Sequence, residues 1–259
     1  MKALVYDGPE TLTLRPFPDP QVGPGEVLLE VRTAGICGSD IHGFLGHSER
    51  RKPGLVLGHE TVARIAEMDK AVTGWRQGQR VAFNPLVSCG ACAACLSGRQ
   101  NVCASWRLYG LDRLHGTYAE YVSVPACQLY ALSEELPEKE AILVEPLAVV
   151  VRAFRLALSE TPPSMVIIGA GPIGALALAV ARLRGVPRVA VTDTSDERLA
   201  VAKTLGADLV VNAGSPDADQ TLHAFTEGGA ECVVEAVGLE STRRAAVKAA
   251  ARGGRLVFL

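Results

Sequence analysis

The sequence predicts an α/β protein in two parts, a β-rich barrel-like domain over residues 1–150 and a doubly wound parallel sheet over residues 151–259. Short apolar runs separated by Gly and Pro fill the first part, and strand and helix patterns alternate through the second. A glycine-rich turn opens that alternation. At 259 residues, 48% hydrophobic and with 26 glycines, the chain is long enough to bury a large core and to divide in this way. Its 26 Lys and Arg against 28 Asp and Glu give a formal charge of -2, so the basic footprint of a nucleic-acid binder is missing. The apolar stretch MVIIGAGPIGALALAVA from Met165 is too short and too glycine-rich for a membrane span, and Arg182 and Arg184 follow at once; no membrane partner is expected.

In the first part, EVLLEVRTAG, ETVARIAEM and QRVAFNP read as antiparallel strands. Around them lie metal-capable side chains: Cys37, Ser39 and His42 in GICGSDIH, His59 and Glu60 in LGHE, and Glu145 in LVEPLAV. Each also has an ordinary reading. A single Cys is usually a small buried hydrophobe, an adjacent His and Glu are usually surface chemistry, and a Glu before Pro starts a helix with favourable dipole sign.

The run CGACAACLSGRQNVC is denser. Cys89, Cys92 and Cys95 stand three apart and Cys103 follows after seven intervening residues, so the segment builds either a metal site or a pair of disulfides. The opening MKALVYDGPETL has no apolar core long enough for a signal peptide, which sets the expectation of a cytoplasmic chain. In a reducing compartment the balance favours zinc, because tetrahedral zinc accepts four sulfurs and Cys-x-x-Cys steps let a tight loop wrap it.

In the second part PSMVIIGAG leads into PIGALALAVARLRG, RVAVTD into SDERLAVAKTLG, DLVVNA into DADQTLHAFTEGG, and CVVEAVG into LESTRRAAVKAAARGG, with RLVFL last. That is a parallel sheet with helices on both faces. Gly169-Ala170-Gly171-Pro172-Ile173-Gly174 is a GxGxxG between strand and helix, and Asp193 stands nineteen residues after the last glycine, at the end of the next strand. Gly169 permits the tight turn, Gly171 lets a pyrophosphate approach the backbone, Gly174 allows helix and strand to pack closely, and Pro172 suits the first helical position. Asp193 can hydrogen-bond the adenosine ribose hydroxyls and would repel a 2'-phosphate, which favours NAD over NADP. Ile173 and Arg198 complete the residues assigned to the cofactor.

Taken in order, GICGSDIH, LGHE, the four-cysteine lobe, GTYAEYV, VEPLAV and GAGPIG make the whole chain resemble the zinc-dependent medium-chain dehydrogenases, and within them the polyol branch that includes sorbitol dehydrogenases. The resemblance implies a GroES-like catalytic domain followed by a Rossmann domain, two zinc ions per chain, and NAD. It implies that Cys37 and His59 bind a catalytic zinc, with Glu60 and Glu145 as direct or water-linked carboxylate ligands. It further implies a proton path through Ser39 and His42, and a structural zinc at Cys89, Cys92, Cys95 and Cys103. The implied reaction is oxidation of a polyol, sugar alcohol or other small secondary alcohol to the ketone. Threonine- or butanediol-type substrates are alternatives, as is a silent nucleotide-binding scaffold that keeps the fold. For a full-length parent the resemblance implies a homodimer or homotetramer.

The chain also departs from the family. Ala63, Asp69 and Ala71 stand where relatives usually have glycines, and Gln79 gives GQRV in place of Gly-Asp-Arg-Val, changes that bear on local turns more than on chemistry. Five strands of an expected six are countable before Leu259. The expectation is therefore a fragment with an apolar sheet edge, poor solubility and little or no turnover. Among the remaining residues, Cys127 and Cys232 read as core thiols, and His47, His115 and His223 as surface or packing residues. Phe44, Leu45 and Tyr109 are candidate walls of a substrate pocket, and Arg243 and Arg244 a solvated helix face.

Overall fold

Strands β1 (Lys2–Gly8), β2 (Thr11–Pro16), β3 (Glu26–Gly35), β4 (Leu55–Val56), β5 (Glu60–Met68) and β6 (Arg80–Phe83) open the chain, with helix α1 (Gly38–Phe44) after β3. Period-two alternation explains the packing: in β3, Val27 and Leu29 are fully buried while Glu26, Leu28 and Glu30 turn partly outward. A short ribbon, β7 (Leu86–Val87) and β8 (Arg107–Leu108), brackets the cysteine run and the small helix α2 (Ala93–Leu96). Strands β9 (Tyr121–Pro125) and β10 (Leu129–Ala131) and helices α3 (Glu138–Ala141) and α4 (Val144–Ala157) follow. An antiparallel sheet runs in the order β10-β6-β5-β3-β9, and a smaller one in the order β2-β1-β4. The core under the larger sheet holds Val27, Leu29, Ile65, Val81, Phe83, Val122 and Val124.

Tyr109 belongs to this core and not to a substrate pocket. It is 3% exposed, meets Phe83 edge-on at 5.2 Å, and donates its hydroxyl to the Ser123 carbonyl. Cys127 also departs from expectation: it is exposed in a short turn after Pro125, because the turn between β9 and β10 directs it outward.

The computed structural model describes residues 1–259, and the chain divides into the units Met1–Glu145 and Pro146–Leu259. The division falls inside α4.

The second unit contains β11 (Ser164–Ile168), β12 (Arg188–Asp193), β13 (Leu209–Asn212), β14 (Ala230–Glu235) and β15 (Ala250–Phe258), alternating with α5 (Pro172–Leu183), α6 (Asp196–Thr204), α7 (Ala218–Phe225) and α8 (Glu240–Ala249). All five strands are parallel, in the order β13-β12-β11-β14-β15. Every residue of β11 is buried, as a central strand covered on both faces requires. Met165 and Ile167 join α4 and α5 in one core, while Val166 and Ile168 join α7 and α8 in the other. The strand order reverses beside β11, so the carboxyl ends of β11 and β14 open a crevice. β15 is an edge strand longer than RLVFL, with a register shift opposite Ala230 and Cys232. No helix is long and apolar enough to cross a membrane.

Candidate metal centre and cofactor site

The cysteine lobe brings Cys89, Cys92, Cys95 and Cys103 together, with their sulfurs all within 4.8 Å of one another. The Cys89–Cys95 and Cys92–Cys95 sulfur separations are 3.9 and 3.5 Å. A disulfide needs about 2.05 Å, and every cysteine in the chain is free. Tetrahedral zinc with Zn–S near 2.3 Å places its sulfurs about 3.8 Å apart, so the lobe fits that ion. Backbone N–H groups of Cys92 and Cys89 donate to the Cys89 and Cys103 sulfurs. The N–H and thiol of Cys95 pull Cys92 down to about 6, which favours the thiolate that a metal needs. Four protein sulfurs would complete the tetrahedral shell of a zinc ion, as closed structural sites do.

A second cluster forms at one end of the large sheet. Gly35, the last residue of β3, lies opposite Glu60, the first of β5, and the chain turns from there into α1. Cys37, at the N-cap of α1, thereby meets His59 and Glu60 with donor atoms within 4.8 Å of one another. Gly35 is required by close approach, since a Cβ there would collide with the Glu60 carboxylate. Burial pushes the Cys37 thiol and the Glu60 carboxyl up, and nearby carboxylates add to both shifts. Glu145, in the first turn of α4, lies outside the 4.8 Å set, but burial raises it too and it feels the charges of His59 and Glu60. Buried anionic ligands crowded in this way suit a divalent cation, and sulfur, imidazole and carboxylate together suit zinc.

Two buried residues of this cluster were not singled out from the sequence. Asp40 is 2% exposed; its Oδ2 accepts from the Tyr118 hydroxyl at 3.0 Å and the Cys37 N–H at 3.3 Å, and its Oδ1 stands 3.7 Å from His59 Nδ1. Arg51 Nη2 donates to Asp40 Oδ1 at 3.2 Å and to Ser39 Oγ at 3.1 Å. Asp40 was visible inside GICGSDIH, and a charged residue one position from Ser39 on a seven-residue helix was the available signal. Ser39 is half-buried and His42 exposed, with the His42 and His47 rings 6.0 Å apart. Phe44 helps line an apolar cavity of about 670 Å³ with Ile41, Leu57 and Tyr118; Leu45 is not among its lining residues.

In the second unit the glycine turn adopts the expected geometry. Gly169 has φ +97°, and a Cβ there would lie 2.6 Å from a Val237 methyl. Gly171 caps α5 with open space around it, Pro172 is at the first helical position, and a Cβ on Gly174 would strike the Gly169 carbonyl. Ile173 packs against the core on that face. Asp193 ends β12 at 8% exposure and accepts the N–H groups of Ala170 at 2.7 Å and Ser195 at 2.9 Å. Burial alone would raise Asp193, but these donors and Arg198 outweigh it and hold the carboxyl below the usual range. Arg198 Nη1 stands 3.8 Å from Asp193, and its side chain is 62% exposed. Gly169, Asp193, Arg198, Thr226 and Thr242 border a cavity of about 510 Å³, a volume suited to a nucleoside-sized ligand.

Residues 23–134 match the family described as Alcohol dehydrogenase GroES-like domain, and residues 172–259 the family described as Zinc-binding dehydrogenase. Sorbitol dehydrogenase of Bacillus subtilis is 31% identical over 264 residues, covering all of this chain and 74% of that protein. The chain belongs to the zinc-dependent alcohol dehydrogenases. L-threonine 3-dehydrogenase of Bacillus velezensis is 36% identical over 264 residues, covering all of this chain and 76% of the relative. The alcohol dehydrogenase TADH from Thermus sp. ATN1 superposes with a TM-score of 0.93 at 30% identity, over 100% of this chain and 77% of that one. As a zinc-dependent alcohol dehydrogenase the protein is an NAD(P)-linked oxidoreductase with a GroES-like unit and a five-stranded Rossmann-like sheet.

Proposed function

We propose that the motif residues of this chain are those of an enzyme that oxidises a polyol, sugar alcohol or other small secondary alcohol to the ketone, with NAD preferred over NADP. The observation that carries this reading is the meeting of the Cys37, His59 and Glu60 donor atoms within 4.8 Å at the end of the large sheet. These three would hold the catalytic zinc, with Glu145, whose carboxyl lies outside that set, as a further direct or water-linked ligand. Cys89, Cys92, Cys95 and Cys103 would hold the second ion. Bound zinc supplies Lewis acidity toward the substrate oxygen, and bound NAD supplies the hydride acceptor.

The chain's own residues supply the rest. Ser39 Oγ takes up the proton released by the alcohol, and exposed His42 passes it toward solvent. The Gly169–Gly174 turn offers the N–H groups at the start of α5 to the pyrophosphate, and Gly171 leaves the backbone open to it. Asp193 accepts from the ribose hydroxyls and repels a 2'-phosphate, while Arg198, only loosely paired with it, would be free to contact the ribose.

A threonine- or butanediol-type substrate is the second reading, favoured by the 36% identity to an L-threonine 3-dehydrogenase. A panel of polyols, 2,3-butanediol and L-threonine with NAD and NADP, alongside metal analysis, tests both. NAD-linked turnover highest on polyols supports the first reading, turnover highest on threonine or butanediol the second, and binding of NAD without turnover of any of them leaves only a nucleotide-binding scaffold.

A further inference from the structure

Arg51 is buried to 6% exposure beside the Cys37, His59 and Glu60 cluster, yet neither metal nor the path from Ser39 to His42 calls for it. Burying a guanidinium is costly unless it is paired; here Nη2 finds two partners while Nε is buried without one. Gly43 in α1 leaves room for the Arg51 stem, since a Cβ there would run into Arg51 Cδ. The preceding residue faces the other way: Arg50 makes a bidentate pair with Asp112 at 2.9 and 2.6 Å and lies over Trp106, 4.3 Å from the ring centre. The segment is thus anchored from outside while Arg51 reaches inward.

Arg51 Nη2 carries two hydrogens and stands 3.1 Å from Ser39 Oγ and 3.2 Å from Asp40 Oδ1. A guanidinium has no acceptor, so in this contact Ser39 must accept, and its single O–H is left to the Cys37 sulfur, with which the Ser39 side chain also hydrogen-bonds. We propose that Arg51 is a positioning residue that fixes the hydrogen-bond polarity of Ser39, occupying one lone pair so that the other faces an incoming proton while the O–H side is the one from which a proton leaves. The inference rests on Ser39 being the proton acceptor. In the relay the alcohol O–H bond breaks as a new O–H bond forms at Ser39 Oγ, and the serine's original hydrogen leaves to His42 or a water. Ser39 ends unchanged. The fixed positive charge of Arg51 disfavours a doubly protonated oxygen, so one proton leaves as the other arrives. Asp40, also held by Tyr118 and the Cys37 N–H, keeps the guanidinium in place.

The test uses the zinc-loaded protein. Arg51→Met should lower kcat about tenfold or more while KM for alcohol and for NAD stays within about twofold, with zinc content unchanged. In a Ser39→Ala background the same change should alter kcat by less than about twofold, because the hydroxyl it orients is gone. Arg51→Lys keeps the charge without the planar fork and should recover part of the loss; if Arg51→Met does not fold, the lysine variant carries the same cycle. A readout free of turnover is nitrogen-15 NMR of the arginine side chains without substrate or cofactor, where a slowly exchanging Arg51 signal should shift on Ser39→Ala. Equal losses in both backgrounds, or an Arg51 signal indifferent to Ser39→Ala, overturn the proposal. No turnover in the parent overturns the enzyme reading and the relay with it, whereas a surviving NMR shift shows the Arg51–Ser39 contact to be intact, so the two failures are distinguishable.

Discussion

Asp193 combines burial with two backbone donors and a nearby cation, and the donors and cation favour its charged form. Its folded pKa lies below the unfolded value. The stability it contributes is therefore complete above about pH 4 and is lost as pH falls through the folded value. Asp193→Asn should flatten the acid limb of a stability-against-pH curve, measured by urea unfolding. Asp193→Ala should narrow the ratio of kcat/KM between NAD and NADP by removing the repulsion of a 2'-phosphate; an unchanged ratio would show that another residue reads the ribose. Gly174 acts through space alone, because a side chain there meets the Gly169 carbonyl. Gly174→Ala should cost about 1–3 kcal/mol, the usual range for overpacking, and should weaken NAD binding, as read by calorimetry.

At the scale of elements, β11 carries the second unit. Ile167 is fully buried in its core, and Ile167→Ala should cost about 2–5 kcal/mol in denaturant unfolding. His115 ties the loop before β9 to β4, its Nδ1 accepting the Val56 N–H at 3.3 Å while its ring meets Phe17 edge-on. Burial lowers its pKa. Stability from the neutral ring is present above about pH 6.5 and falls as pH drops through the folded value, because the unfolded chain binds the proton more readily. His115→Asn keeps an acceptor in place of Nδ1 without a titration, so its thermal midpoint should change less than the parent's between neutral and mildly acid pH.

Much of this was legible because it is local. The strand GICG leaves, the strand LGHE enters, and the turn GAGPIG depend on short-range periodicity and glycine geometry, and β3, β5 and β12 begin and end where those patterns do. What escaped depends on contacts across the fold. Arg51 finds Asp40 only after α1 and the loop that follows it have packed, and no short-range motif marks that pairing. Tyr109 reads as a pocket wall from sequence but packs into the core against Phe83, and Cys127 reads as a core thiol but a turn faces it outward.

For the whole molecule, the first unit holds two separate clusters of side chains that could ligate a metal, one with four sulfurs and the other with sulfur, imidazole and carboxylate donors. Structural zinc adds folding free energy directly, whereas a catalytic ion with an open position adds reactivity. Replacing Cys92 and Cys95 with Ser should therefore lower the thermal midpoint, while replacing His59 or Glu145 with Ala should abolish turnover and leave the fold in place. The most direct measurement is zinc bound per chain in the parent, in His59→Ala and in the Cys92→Ser/Cys95→Ser variant, each beside its melting curve. Two ions in the parent and one in each variant are expected, with the midpoint falling chiefly in the cysteine variant; a cysteine variant that keeps both ions or melts like the parent would contradict the assignment of the lobe as a zinc staple.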